Sequence, residues 1–439
     1  MLGILALIFS VLISFQRSVI ANHTCYAEDR EPYMLTATKT GYFPVMNVDD
    51  SEIKHEGCKA PDFIWFLARH GTRYPSDIAM QPMKNLLPKI RNQVVHNHKQ
   101  GRGTMCSKDL ANLKNWRFSL TPADALLLTE SGKEEMRGLG RRWKNRLGNL
   151  TDLMVVSEET FGFTNTQRTK ESARHFKEAF LSESNSSLPT YIANKELLHF
   201  FKICDRYKEA IFQKKTTAQE VKDLFRSYTL PSLKNLVETI NIRLGYQMKT
   251  ITFKAMELIW DMCRWEISWN YQIRPWCAVF SKDEMKLFED NEDLFFHFQD
   301  GYAYNITRDM TGVLLRDLFD RISDHYENNS STSNRFYFAH SETFMPFLTR
   351  LGIAKDTPPL GLDNLPKNRK WRTSLIGGES SNLAVVGLEC DDGIKLKFFL
   401  NEREVEIEGC PKNICDITKF KDKYEPLSFS SIQDVCSPS

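Results

Sequence analysis

Residues 62–68, "DFIWFLA", are a short unbroken apolar run that ends against Arg69 and His70. Continuous hydrophobicity over so few positions predicts a strand covered on both faces of a sheet. Two further runs share that form. "TFGFT" (160–164) leads directly into "NTQRTKESARHFKEAFL", where Ala173, Phe176, Ala179 and Phe180 make one helical face. "RFYFA" (335–339) leads into "HSETFMPFLTRLG", where Phe344, Phe347, Leu348 and Leu351 do the same and Gly352 is the stop signal. In "SGKEEMRGLGRRWKNRL", Ser131 and Glu134 stand in capping-box spacing, and Met136, Gly140, Trp143 and Leu147 recur at helical intervals. Softer helical patterns occupy 77–115. Near the C-terminus, "LAVVGLEC" and "IKLKFFL" flank Asp391-Asp392-Gly393, and "NE" separates "LKFFL" from "REVEI", which predicts hairpins closing the sheet.

The stretch 190–300 reads differently. "FFKICDRYKEAI", "AQEVKDLFRSY", "PSLKNLVETINIRLG" and "FKAMELIWDMCRWEI" follow one another as helical patterns without a convincing strand. The expected fold class is therefore α/β: a central, mostly parallel sheet flanked by helices, with an all-helical domain inserted. The boundaries are 1–21 for a leader, 22–189 and 301–439 for the two parts of the α/β domain, and 190–300 for the insert.

Composition narrows the class. The chain of 439 residues carries 58 Lys and Arg against 56 Asp and Glu, a net charge of +2, which is no field for nucleic acid or an anionic membrane. Any anion specificity must be local. "MLGILALIFSVLISF" is apolar and uncharged but falls short of the ~20 residues that span a bilayer, and Val19 and Ala21 suit a cleavage site, so 1–21 reads as a secretory signal. Sequons at Asn22, Asn149, Asn185, Asn305, Asn328 and Asn329 fit a glycosylated lumenal chain. Ten cysteines, an even number in an oxidising compartment, predict up to five disulfides whose pairing the spacing leaves open. The C-terminal "VCSPS" is not a retrieval signal, so the expected location is outside the cell or in an endolysosomal lumen, with no stable membrane insertion.

The three strand-to-helix junctions deliver Arg69, His70 and Arg73, then Arg168, then His340 and Glu342. Ligands of open α/β sheets bind beyond the carboxyl ends of strands, where helix N-termini favour anions. Three guanidiniums there suit the forked oxygens of a phosphate group. A neutral His70 can attack phosphorus to form a phosphohistidine, and Glu342 can protonate the leaving alkoxide and then activate water. His340 is assigned to the phosphate pocket, as an imidazolium adding positive charge. Singly these residues are ordinary surface or capping groups, but Arg-His-Gly-x-Arg arises by accident in roughly one chain in a thousand. A zinc site built from His70, His340 and Glu342, or from His96 and His98 in "VVHNHKQG", is disfavoured, the former by the arginines beside it, so no metal or other cofactor is expected.

"RHGTR" (69–73) with a distant His-x-Glu (340–342) resembles the histidine phosphatase superfamily, in its branch of secreted acid phosphatases and phytases, and within it most of all the multiple inositol polyphosphate phosphatases. Those carry His-Ala-Glu where phytases carry His-Asp; here Ser341 replaces the alanine. The likeness extends over nearly the whole mature chain. It implies a phosphoglycerate mutase-like, histidine acid phosphatase fold, His70 as nucleophile, Glu342 as proton donor, and Arg69, Arg73, Arg168 and His340 around the phosphate. It implies the disulfides Cys58–Cys390, Cys204–Cys436, Cys263–Cys277 and Cys410–Cys415, leaving Cys25 with Cys106. The implied substrate is a small polyphosphorylated molecule, either phytate and lower inositol phosphates or 2,3-bisphosphoglycerate at its 3-phosphate. Lys170, Lys202, Arg206 and Arg372 are candidates for further phosphates. The competing readings are a broad-specificity acid phosphatase with the same chemistry and a non-catalytic lumenal binder of phosphate ligands. The oligomeric state is left open.

Overall fold

The computed structural model describes residues 25–26, 34–182, 189–213, 231–247, 250–269, 272–361, 364–410 and 414–437. The leader at 1–21, the sequons at Asn22 and Asn185, and "AQEVKDLFRSY" lie outside them. Seven strands form one sheet: β1 (Phe63–Arg69), β2 (Phe161–Phe163), β3 (Arg335–Ala339), β4 (Asn382–Cys390), β5 (Gly393–Leu400), β6 (Arg403–Glu404) and β7 (Cys415–Asp416). The helices of eight residues or more among the described residues are α1 (Asp77–Lys99), α2 (Ser107–Asn115), α3 (Glu130–Leu147), α4 (Gln167–Leu181), α5 (Pro231–Arg243), α6 (Phe253–Ser268), α7 (Lys282–Gln299), α8 (Gly312–Tyr326), α9 (Ser341–Arg350) and α10 (Ile417–Tyr424).

The sheet order is β2-β3-β1-β4-β5-β6, with β7 also on β5. β2, β3 and β1 run parallel, in the registers Phe163↔Phe338 and Arg69↔Ala339. The remaining pairings are antiparallel, so the expected mostly parallel sheet is a mixed one. Among β4, β5 and β6 the reason is local. β4, β5 and β6 are joined by tight two-residue turns, at Asp391-Asp392 and at Asn401-Glu402, and so short a connection permits only antiparallel neighbours. Asn401 and Glu402 both take positive φ, 48° and 65°, as the second of these turns requires.

β1 is buried along its whole length, and its alternation splits the core in two. Phe63, Trp65 and Leu67 enter a cluster with Leu314 and Leu318 of α8 and Phe344 and Phe347 of α9. Ile64, Phe66 and Ala68 face Met136 and Trp143 of α3 and Phe176 and Phe180 of α4. Helices thus cover both faces. The first cluster continues through Met256, Ile259 and Trp260 of α6, so helices of the 190–300 stretch share hydrophobic contacts with the sheet. Among the described residues no strand falls between Lys195 and Gln299. The pattern at 200–211 is not one helix, because Cys204 takes extended backbone between Phe200–Ile203 and Asp205–Lys208.

α3 starts one residue before the expected Ser131. Thr129, not Ser131, is its cap: the Thr129 hydroxyl accepts from Gly132 N at 3.0 Å and donates to Thr72 O at 2.8 Å. A contact with the loop after β1 therefore sets the helix start. The disulfides are Cys25–Cys106, Cys58–Cys390, Cys204–Cys436, Cys263–Cys277 and Cys410–Cys415, the same pairs that the resemblance implies.

Candidate active site

Because β2, β3 and β1 are parallel neighbours, their carboxyl ends bring the three junctions together. Arg69 ends β1 with both amino groups of its guanidinium held: Nη1 donates to Thr38 O and to Gly377 O at 2.8 Å, and Nη2 lies 3.2 Å from Glu379 Oε1. His70 extends the ladder, its N–H donating to Ala339 O at 3.0 Å. Its Nδ1 stands 2.9 Å from Gly71 O and 3.3 Å from Glu379 Oε2. The hydrogen bond to Gly71 O, with the Glu379 carboxylate beside it, puts the proton on Nδ1, which leaves the lone pair on Nε2.

The following turn is pressed against the start of α3. Gly71 N donates to Ser172 Oγ at 3.0 Å, and Thr72 donates to Glu135 from both N and Oγ1 at 2.9 Å. A Cβ on Gly71 would sit 2.6 Å from Gly132 O, and one on Gly132 only 2.2 Å from Thr72 O, so both positions need glycine for close approach rather than for backbone freedom. Arg73 then reaches over the Trp265 ring, 5.4 Å from its centroid, with Nη1 bonded to Tyr74 O at 2.9 Å.

From the other two strands come His340, at the head of α9, and Arg168, in the first turn of α4. The His340 Nδ1 accepts from Arg168 Nη2 at 3.2 Å, and its Nε2 is 2.9 Å from Thr164 Oγ1. The Thr164 hydroxyl spends its own proton on Thr169 Oγ1 at 3.0 Å, so Nε2 is the donor and His340 is a neutral imidazole. The His70 and His340 rings meet edge-on with centroids 5.5 Å apart, and His199 stacks flat on His340 at 4.9 Å. Glu342 stands in the first turn of α9, its Oε2 accepting from Ser341 Oγ at 3.0 Å.

Electrostatics fit the hydrogen bonds. Burial first, then the positive charges of Arg168, Arg69 and Arg73, hold His70 well below its ordinary pKa. His340 is likewise held well below, by burial and then by His70 and Arg168. The expected imidazolium at His340 is thereby corrected, since burial disfavours its charged form and Nδ1 accepts from the Arg168 guanidinium. Arg168 itself is lowered to about 10, by burial and by Arg73. Burial raises Glu379, against the pull of Arg69 and Arg73.

All six residues singled out from the sequence lie in this one cluster. Several partners were missed. Glu135 and Ser172 brace the turn, Thr164 orients His340, His199 covers it, and Glu379 faces both Arg69 and His70. The only sequence signal for Glu379 was the polar run "GGESSN" directly before β4. Of the further cations, Lys202 lies 5.3 Å over the Phe201 ring and its charge acts on His199. Arg372 is paired with Glu289, Arg206 bonds Val435 O, and Lys170 is exposed on α4. His98 has both ring nitrogens on backbone, at Val94 O and Met105 N, so "HNHK" is not a metal pair.

A neutral buried imidazole among guanidiniums at parallel strand ends, with a carboxylate in the first turn of α9, is an arrangement that suits a phosphate ester on an α/β scaffold. A family model described as "Histidine phosphatase superfamily (branch 2)" matches residues 62–393, and the chain belongs to that superfamily. It is similar to multiple inositol polyphosphate phosphatase 1 of Drosophila melanogaster, 28% identical over 92% of this chain and 88% of that protein. Among solved structures, the D. castellii phytase superposes with a TM-score of 0.71 at 15% identity, covering 93% of this chain and 88% of that one. The Bifidobacterium longum multiple inositol polyphosphate phosphatase in complex with inositol hexasulfate superposes with a TM-score of 0.66 at 15% identity, covering 92% and 100%. The protein is a phosphatase of this superfamily.

Proposed function

We propose that the protein hydrolyses the phosphomonoesters of inositol polyphosphates, phytate and its lower phosphates among them, through a phosphohistidine on Nε2 of His70. The observation that carries this reading is the state of His70: neutral, with Nδ1 occupied and three guanidiniums gathered around it. Arg69, Arg73 and Arg168 bind the phosphoryl oxygens where charge develops as phosphorus is transferred, and His340 steadies Arg168 through Nδ1. The Nε2 lone pair forms the N–P bond while the ester P–O bond breaks. Glu342, protonated, gives its proton to the departing alkoxide oxygen. Water then attacks phosphorus, its proton passes to Glu342, the N–P bond breaks and orthophosphate leaves.

The names of the relatives support the inositol substrate, and Lys202 and His199 are the groups beside the pocket that suit a second phosphate. A 3-phosphate of 2,3-bisphosphoglycerate is the smaller substrate of the same chemistry. We place the protein in the secretory pathway, as a glycoprotein that is exported or held in an endolysosomal lumen. The disulfides suit an oxidising compartment, and Asn149, Asn305, Asn328 and Asn329 are exposed. The helices of 190–300 are proposed as the inserted domain that supplies specificity.

The test compares kcat/KM for inositol hexakisphosphate and p-nitrophenyl phosphate on the purified protein, with Glu342→Gln and His70→Ala alongside. A preference for the inositol substrate, a loss of about 10²–10⁴-fold in Glu342→Gln, and no phosphate trapped on His70→Ala are expected. Equal or reversed preference would make it a broad-specificity acid phosphatase. Undiminished turnover in His70→Ala would remove the phosphohistidine.

A further inference from the structure

Glu379 is fully buried, and the proposed mechanism gives it no role. Its two oxygens make no ordinary hydrogen bond among the described residues; instead Oε1 faces Arg69 Nη2 at 3.2 Å and Oε2 faces His70 Nδ1 at 3.3 Å. Burying a carboxylate costs several kcal/mol unless its partners repay it. The backbone that delivers it is also costly, because Ser380 sits at φ 59°, a region that non-glycine residues rarely adopt. That turn is clamped from all sides: Glu379 N donates to Thr40 O at 2.8 Å, Ser380 N to His70 O at 3.0 Å, and Arg69 N to Ser381 O at 2.8 Å. Ser380 Oγ donates to Glu135 Oε2 at 2.8 Å, and Glu135 is the residue that holds the Thr72 turn. A strained turn locked to the backbone of Arg69 and His70 is an arrangement that keeps one carboxylate against one imidazole.

We infer that Glu379 is a positioning residue for His70: it fixes the Nδ1–H tautomer, so that Nε2 meets phosphorus, and it offsets the positive charge of the imidazole as the N–P bond forms. The inference rests on the phosphohistidine reading. When Nε2 bonds to phosphorus the ring still carries the Nδ1 proton and becomes cationic, in a pocket already filled with guanidiniums. A carboxylate on the far side of the ring favours that state over the neutral one, as the carboxylate of a catalytic triad favours an imidazolium. Gly71 O also accepts from Nδ1 but brings no charge. The rival role is a plain ion-pair partner for Arg69, in which case Glu379 would act on phosphate affinity and not on turnover.

The two roles separate in kinetics. Glu379→Gln keeps size and an acceptor oxygen but removes the charge. With p-nitrophenyl phosphate, kcat should fall by about 10²-fold or more, while the inhibition constant of orthophosphate stays within about threefold of wild type. Glu379→Ala should be slower still and regain turnover with added formate; should it fail to fold, the isosteric variant decides alone. A Glu379→Gln enzyme that keeps kcat within about threefold overturns the inference, and so does a kcat loss matched by an equal rise in the orthophosphate constant. His70→Ala is measured in parallel: if it stays active the phosphohistidine itself has failed, which is a different result from an inert Glu379.

Discussion

His70 suits its proposed role as nucleophile because two unfavourable terms act on its charged form at once, burial and the three arginines. Its folded pKa is depressed, so the neutral ring persists as pH falls below the ordinary histidine value of about 6.5 and is lost only at the lower, folded value. The acid limb of kcat/KM for p-nitrophenyl phosphate should accordingly lie well below 6.5. Arg168 is the largest charge acting on the ring, and Arg168→Met should move that limb upward while raising KM. Arg168→Lys, which keeps the charge, should leave the limb near its wild-type position. A pH–rate profile of the three proteins checks the sign. His70, Arg69 and Arg73 were legible because they share one short motif; His199 and Thr164 were not, since each acquires a role only by meeting His340 across the fold.

At the scale of elements, the turn after β1 is shaped by α3. Thr129 caps the helix and holds the turn by donating from both N and Oγ1 to Thr72 O, and Gly132 lets the two backbones touch. Gly132→Ala adds one methyl where Thr72 O stands, and overpacking of this kind costs about 1–3 kcal/mol. The turn must shift, taking Arg73 with it, so the melting temperature should fall and kcat/KM should fall further than stability alone explains. Thermal unfolding and steady-state kinetics on the same preparation test it. The strands were readable from their continuous apolar runs, because burial on both faces leaves no polar alternation. The helix cap was misplaced by reading Ser131 and Glu134 locally, when a hydrogen bond from a distant loop set the start. The break at Cys204 had no periodic signal either.

For the whole molecule, two hydrophobic layers sandwich the sheet, and disulfides close the chain around it. Cys58–Cys390 joins the approach to β1 to the far end of β4, across a sequence separation of 332. Replacing both by serine frees a long loop in the unfolded chain and should destabilise the protein by about 2–5 kcal/mol. Because these cysteines lie at the end of the strands opposite the site, kcat/KM at low temperature should be nearly unchanged, and denaturant unfolding would read the loss. The order of strands is also a property at this scale. The three motif-bearing strands and their helices followed from the sequence by itself, because burial and helical spacing are written in neighbouring residues. So did the side chains proposed to bind the anion. That β2, β3 and β1 are parallel neighbours was decided only by the tertiary structure, as was the antiparallel pairing of β4 that sets Glu379 against His70. Strand order is fixed by which buried faces pack together, and the field at a buried group sums over every charge the packing brings near, so neither quantity is recorded in any local pattern.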